Sequence, residues 1–238
     1  MDYFYLMNIV IDFGKMTKWI PTFIDGTIVT IVLSLMTVFF GSIIGLLATL
    51  LQQSPNRLFK GIAAIYTQVI RGTPLLIQLY FWLYGLPLIG ITIPAMPFLG
   101  DIYGSREFLT AIVALSINSG AYICELLRGG LDAIDKGQME AGRSLGLSRR
   151  QTMRSVIIPQ AIRVILPGLG NEFIAMIKES SIVSVVGIFD VMYTTTIVKA
   201  STYSIFEPLI IVAIIYFFLT FTLTALMKQL EKRLSIYD

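Results

Sequence analysis

"TIVTIVLSLMTVFFGSIIGLLATLL" occupies Thr27–Leu51 and contains no ionisable side chain. About 20 mainly apolar residues in helical form are enough to cross the hydrocarbon core of a bilayer. The stretch therefore reads as a membrane-spanning helix, and the rest of the chain has to be read with lipid as its solvent. Gly41 and Gly45 are spaced for close contact with a second helix, although glycine is common in membrane helices in any case.

Composition agrees. Of the 238 residues, 55% are hydrophobic and 14% charged, against about 25% charged in a soluble domain. The net charge of +3 does not suggest nucleic acid. The chain has one cysteine, Cys124, and no histidine, which removes disulfides, zinc sites and histidine acid–base chemistry from consideration. The start, "MDYFYLMNIV", lacks a basic opening and a small-residue cleavage site, so it does not read as a signal peptide.

Four more spans are expected. Gly61–Leu83 is interrupted by "RGTP" at Arg71–Pro74, Phe108–Leu127 is continuous, one lies within 167–193, and Leu209–Met227 is the clearest after the first. The chain then divides into an interfacial segment 1–26 (Tyr3, Phe4, Phe13, Trp19), a membrane domain 27–230 with a cytoplasmic helical loop 128–165, and a tail 231–238. The fold class is all-α, with five transmembrane helices. Basic residues crowd Arg57–Lys60, Arg128–Arg163 and Lys228–Arg233, whereas the opposite side holds Lys15, Lys18, Arg106 and Lys199. The positive-inside rule places the C-terminus in the cytoplasm and the N-terminus outside.

Within the basic loop, "EAGRSLGLSRRQTMRSVIIP" (Glu140–Pro159) is folded and punctuated. Gly137–Leu147 reads as a short helix that Gly146 can end in the left-handed conformation. Ser148 then caps a second helix, with Gln151 completing a capping box, and Pro159 interrupts it or bends it. Ala141, Gly142 and Gly146 would leave a surface almost free of side chains, which another protein could approach closely. An ordinary basic loop on anionic headgroups is the plainer alternative.

Glu140-Ala141-Gly142, then Gly146, then Val156-x-Ile158-Pro159, resembles the E-A-A-x3-G-x9-I-x-L-P signature of bacterial ABC importer permeases, with glycine for the second alanine of the signature. "RGTPLLIQLYFWLYGLP", "INSGAYICELLRGGLDAIDKGQMEAGRSLGLS" and "LPGLGNEFIAMIKESSIVSVVG" are similar to the polar amino acid branch of that family. The resemblance implies a five-span permease subunit. A second copy or a paralogue would complete the path, and a cytoplasmic ATPase would dock on Glu140, Ala141, Gly142, Gly146 and Pro159. An extracytoplasmic binding protein would deliver the amino acid. No G-x-x-x-x-G-K-[ST] loop is present, so no cofactor is expected in this chain and ATP with Mg falls to the partner.

Ionisable groups within spans are expensive and point to function. Arg71 either grips the α-carboxylate of an amino acid or pairs internally with Glu125 or Glu179. Asn118, Ser119, Tyr122 and Glu125 on the third span line a wet cavity or bond neighbouring helices. Glu179 and Ser180 near the fourth span pose the same choice, with Lys178 beside Glu179. A self-contained channel or secondary transporter is the competing class, disfavoured by five spans without an inverted repeat. An intramembrane enzyme has no nucleophile or paired-carboxylate motif to recommend it.

Overall fold

The computed structural model describes residues 12–235, so Tyr3, Phe4 and the last residues of the tail lie outside it. Among the described residues there are helices and turns but no strand. A 3-10 turn, Phe13–Trp19, runs directly into α1, Ile20–Gln52. Then follow α2 (Arg57–Arg71), α3 (Leu75–Tyr80), α4 (Arg106–Asp132), α5 (Lys136–Ser144), α6 (Arg149–Thr152), α7 (Ile158–Glu179), α8 (Tyr193–Thr202) and α9 (Phe206–Ser235). The first helix thus begins upstream of Thr27. Phe13 and Trp19 are part of its lead-in rather than of a separate interfacial helix.

Among the described residues three stretches are long and apolar enough to cross a membrane: Phe13–Gln52, Arg106–Asp132 and Phe206–Arg233. The pair Arg57–Arg71 and Leu75–Ile89 qualifies only jointly, because it is bent by 108° at its break, and would make a fourth. The segment expected within 167–193 is α7 with the 3-10 turn Ser180–Val186, and it does not pass the same measure. The physical reason lies in its placement. α7 packs against α1, α4 and α9 at once, and Glu172 on it accepts a bond from Ser119 of α4 at 2.7 Å, so this helix carries polar groups that a lipid-facing span would lack.

Packing is inverted relative to a water-soluble protein. Beside Phe23, Val29, Leu33 and Ala48, the buried face of α1 carries Gly26, Thr30, Ser34, Thr37, Gly41, Gly45 and Thr49, while Leu35, Phe39, Leu46 and Leu50 face outward. Lipid tails are as apolar as leucine, so burying leucine gains little here. Close backbone approach and satisfied hydroxyls hold the helices together instead. Ser34 Oγ donates to Thr30 O at 2.8 Å, and Thr49 Oγ1 donates to Gly45 O at 2.8 Å. α4 is the main partner of α1. A Cβ on Gly45 would lie 2.8 Å from Ile123 Cγ2 and 2.9 Å from Gly120 O, and one on Gly41 would lie 3.1 Å from Ser119 Cβ. The apolar centre, with Leu33, Leu79, Phe108, Leu115 and Met176, sits where α1, α3, α4 and α7 meet.

Gly45→Leu should therefore push α1 off α4 and lower stability by about 1–3 kcal/mol. Gly61 has nothing within 4 Å of an added Cβ, so Gly61→Ala should gain up to about 1 kcal/mol of helix propensity. Thermal unfolding of the detergent-solubilised chain checks both. Equal melting temperatures for the two variants would mean that the α1–α4 contact is not close-packed.

Candidate functional site

The site grows from the break at 72–74. Proline has no N–H and disfavours helical backbone at the residue before it, so Thr73–Pro74 stops α2 and Pro74 starts α3 in an extended conformation. Carbonyls at the break lose their helical partners, and lipid offers none. Gln78, buried on α3, replaces them. Its Nε2 donates to Ile70 O at 2.7 Å, Thr73 O at 3.1 Å and Thr73 Oγ1 at 2.9 Å. Its Oε1 accepts from Asn118 Nδ2 on α4 at 3.0 Å. One amide thus closes the bend and ties it to the neighbouring helix.

Two polar cavities flank this tie. The first, about 580 Å³, is lined by Thr73, Pro74, Asn118, Tyr122, Glu179 and Ser181, among others. The second, about 570 Å³, is lined by Gln52, Lys60, Thr67, Arg71, Glu125 and Arg128, with further residues of α1, α2 and α4. In the second, Arg71 Nη1 lies 3.4 Å from Glu125 Oε2, and Arg128 Nη2 reaches the same oxygen at 2.7 Å. Arg128 Nη1 continues to Asp132 Oδ2 at 3.2 Å. The Arg71 guanidinium also sits over the Tyr122 ring at 5.5 Å. Of the two acids considered for Arg71, the structure pairs it with Glu125, and Glu179 belongs to the other cavity.

Asn118, Tyr122 and Glu125 share one side of α4 but divide between the cavities, with Tyr122 between them. Ser119 and Ser180 line neither. Ser119 is fully buried and donates to Glu172 Oε1 at 2.7 Å, while Ser180 is fully buried and donates to Ile177 O at 2.8 Å. Ser181 and Ser184 line the first cavity instead. Gln78 and Glu172 were not singled out from sequence. Gln78 is a lone amide in the greasy run "PLLIQLYF", and Glu172 follows Asn171 as the one charge in "LPGLGNEFIAM", which was the available signal. Among the described residues no group of His, Cys, Asp or Glu could hold a metal ion.

The segment 136–159 forms a compact hairpin. Asp135 caps α5 by accepting from Gly137 N, and Gly146 turns the chain at φ 85. Ser148 and Gln151 form the capping box of α6. A wide π-helical turn, Met153–Ile157, leads on without a gap, and Pro159 follows directly on that widened turn, where the regular helical ladder is already interrupted. Glu140 and Ala141 are exposed, and Leu145 projects from the tip. Gly142 corrects the expectation of an outward small-residue surface: it is buried, and a Cβ there would lie within clashing distance of Thr152 Cγ2. Thr152 occupies the space that an alanine methyl would take, which explains the glycine physically.

The family profile described as binding-protein-dependent transport system inner membrane component matches residues 38–236. The arginine transport system permease protein ArtQ of Bacillus subtilis (strain 168) is 39% identical over 96% of this chain and 99% of its own length. The glutamine transport system permease protein GlnP of Escherichia coli (strain K12) is 35% identical over 94% and 98%. A solved structure of an amino acid ABC transporter with histidines superposes with a TM-score of 0.86 at 46% identity, covering 94% of this chain and 99% of that one. An inward-facing structure of the MetNI methionine ABC transporter, at 19% identity and a TM-score of 0.73, shares the fold.

Gln78→Leu keeps the shape and removes the bonds of the Gln78 amide to Ile70 O, Thr73 and Asn118, while the Thr73 hydroxyl still donates to Val69 O at 2.9 Å. Carbonyls left unpaired in a buried site cost about 1–3 kcal/mol each, so the variant should melt at lower temperature in detergent and lose transport. Gln78→Glu retains the oxygens but aims one of them at carbonyls, and should do no better. Wild-type melting in both variants would show that the bend is held some other way.

Proposed function

The chain belongs to the binding-protein-dependent transport system inner membrane component family, and from that premise we propose how it works. It is the transmembrane permease subunit of an amino acid ABC transporter, not an enzyme in its own right. A stand-alone channel or secondary transporter is thereby set aside.

Five segments span the membrane in this reading, with α2–α3 as a broken span and α7 as the buried one. The N-terminus faces outside and the C-terminus lies in the cytoplasm, as the distribution of lysine and arginine favours. Two permease copies, or one copy and a paralogue, enclose the path. A binding protein delivers substrate from outside. A cytoplasmic ATPase, which holds ATP and Mg, docks on the α5–α6 hairpin at Glu140, Ala141 and the tip beyond Gly146. Gly142 and Pro159 act from inside, by closing the hairpin and joining it to α7. A compact hairpin continuous with α7 moves as one body, so closure of the ATPase would shift the path between its two facings.

The substrate site is the 580 Å³ cavity beside the break, and the substrate is a cationic amino acid. The observation that carries this is the charge balance. Arg71 is already matched by Glu125, whereas Glu179 lines the first cavity with no ion pair among the described residues. Neighbouring Lys178 acts on it electrostatically but forms no ion pair with it, so the carboxylate is left able to receive a cationic side chain from the cavity. A relative named for arginine and a structure with histidines support the same class. Asn118, Tyr122 and Ser181 supply the remaining polar wall, and Arg71 with Glu125 lies in the neighbouring cavity, behind the Tyr122 ring.

Reconstituting the complex in liposomes with its ATPase and binding protein, then measuring uptake across a panel of amino acids, tests the reading. Arginine, lysine and histidine should outcompete glutamine, and Glu179→Gln should cut their uptake about tenfold or more. Glu140→Lys and Gly146→Val, the latter forcing a side chain into a left-handed turn, should lose ATPase pull-down and coupled uptake together. Preference for neutral amino acids in the wild type would overturn the substrate class. Normal pull-down and uptake in both hairpin variants would overturn the docking role.

A further inference from the structure

The two most lipid-exposed helices enclose a feature that transport does not use. Between the 3-10 turn at 13–19, α1, α7 and α9 runs a groove of about 720 Å³, with Phe23, Ile24, Ile28, Phe173, Ile215 and Phe218 among its walls. It offers an occupant almost nothing to bond. The hydroxyls of Thr17 and Thr27 in its wall are turned to Gly14 O at 2.8 Å and Phe23 O at 2.6 Å. Only 6% of the apolar window of α9 is buried within the chain, so something else must cover this face.

We propose that the groove holds one acyl chain of a phospholipid, with its phosphate met by Lys18 and Lys15 at the mouth. Three observations favour this occupant. Asp12 N bonds Glu207 Oε1 at 3.1 Å, so α1 and α9 enter from the same side of the membrane and the groove has a defined mouth there. At that mouth Lys15 and Lys18 are exposed, on the same turn as Phe13 and Met16, which line the groove. Lys18 lies over the Trp19 ring at 5.4 Å, a cation and an indole at headgroup level. Asp12, 3.7 Å from Lys15, offsets one of the two charges and leaves Lys18 for the phosphate.

Length is a further argument. On α9 the walls run from Ile211 to Leu223, which at 1.5 Å per residue is about 18 Å. One leaflet of a hydrocarbon core about 30 Å thick accounts for roughly 15 Å. The groove stops there, at Ile31 and Leu223, although α1 continues to Gln52 and α9 to Ser235. A helix from a second permease copy would follow the pair for its full length. A lipid of one leaflet ends at the midplane. The site therefore takes a lipid from the Lys15–Lys18 side, and Lys18, which forms no salt bridge among the described residues, favours an anionic headgroup.

The test uses the full complex with its ATPase, in nanodiscs of phosphatidylglycerol and phosphatidylcholine. Bound lipid is counted by native mass spectrometry after transfer to detergent. Wild type should retain phosphatidylglycerol. Ile24→Trp and Ile214→Trp, both at exposed groove positions, should lower retention at least fivefold. Leu46→Trp, exposed on α1 outside the groove, should not. Lys18→Glu should abolish the preference for phosphatidylglycerol while phosphatidylcholine still binds. A photo-crosslinker at Ile24 should label lipid. Retention unchanged in the groove variants, equal loss in Leu46→Trp, or crosslinks from Ile24 to a second permease copy would each overturn the proposal. None of these readouts depends on which amino acid is carried.

Discussion

A helix bent sharply between two apolar segments leaves carbonyls without their helical partners, and in this chain Gln78 is a group that receives them. Its amide nitrogen serves Ile70 O and Thr73, and its oxygen holds Asn118. Without that exchange, the 108° bend between α2 and α3 would leave Ile70 O and Thr73 O without the amide that binds them. The position of everything polar follows from it. The first cavity opens where the bend departs from α4, and the second opens where α2 ends at Arg71. Asn118 is thereby a wall residue with its amide nitrogen already committed.

The surrounding helices can pack this tightly because their facing surfaces are nearly featureless. Gly41 and Gly45 bring α1 onto α4, and Gly120 receives Tyr66 close by, whose hydroxyl donates to Ile117 O at 2.7 Å. Serine and threonine hydroxyls on this face mostly return to their own helix, so they add contact without demanding partners. The ion network of Arg71, Glu125, Arg128 and Asp132 contrasts with that economy. It spans the ends of α2 and α4 in a partly open cavity and joins the bend to the start of the α5–α6 hairpin. A transporter that changes its facing needs contacts of both kinds: close packing that moves as a block, and polar links where blocks meet.

Much of this was legible in the amino-acid sequence, because the signals are local. An uncharged run identifies α1, and Thr73–Pro74 marks the break. Ser148 with Gln151 makes a capping box, and Gly146 takes the positive φ that its neighbours would resist. Each rests on the chemistry of a few adjacent residues. The resemblance to a permease family was legible for the same reason, since its signature is a spacing within one hairpin.

Tertiary structure alone decided which groups meet. Helical spacing places Asn118, Tyr122 and Glu125 on one side of α4, but not that Tyr122 separates two cavities. Nor does it say that Arg71 takes Glu125 rather than Glu179. Ser119 and Ser180 looked like cavity residues because serine is polar. They are turned to Glu172 and to Ile177 O because a buried hydroxyl takes whichever acceptor the packing brings near. Gly142 read as surface and is interior, since only the fold of α5 against α6 brings Thr152 over it. Residue type determines what a group must bond to. Which partner supplies the bond depends on residues remote in sequence, and packing alone brings those together.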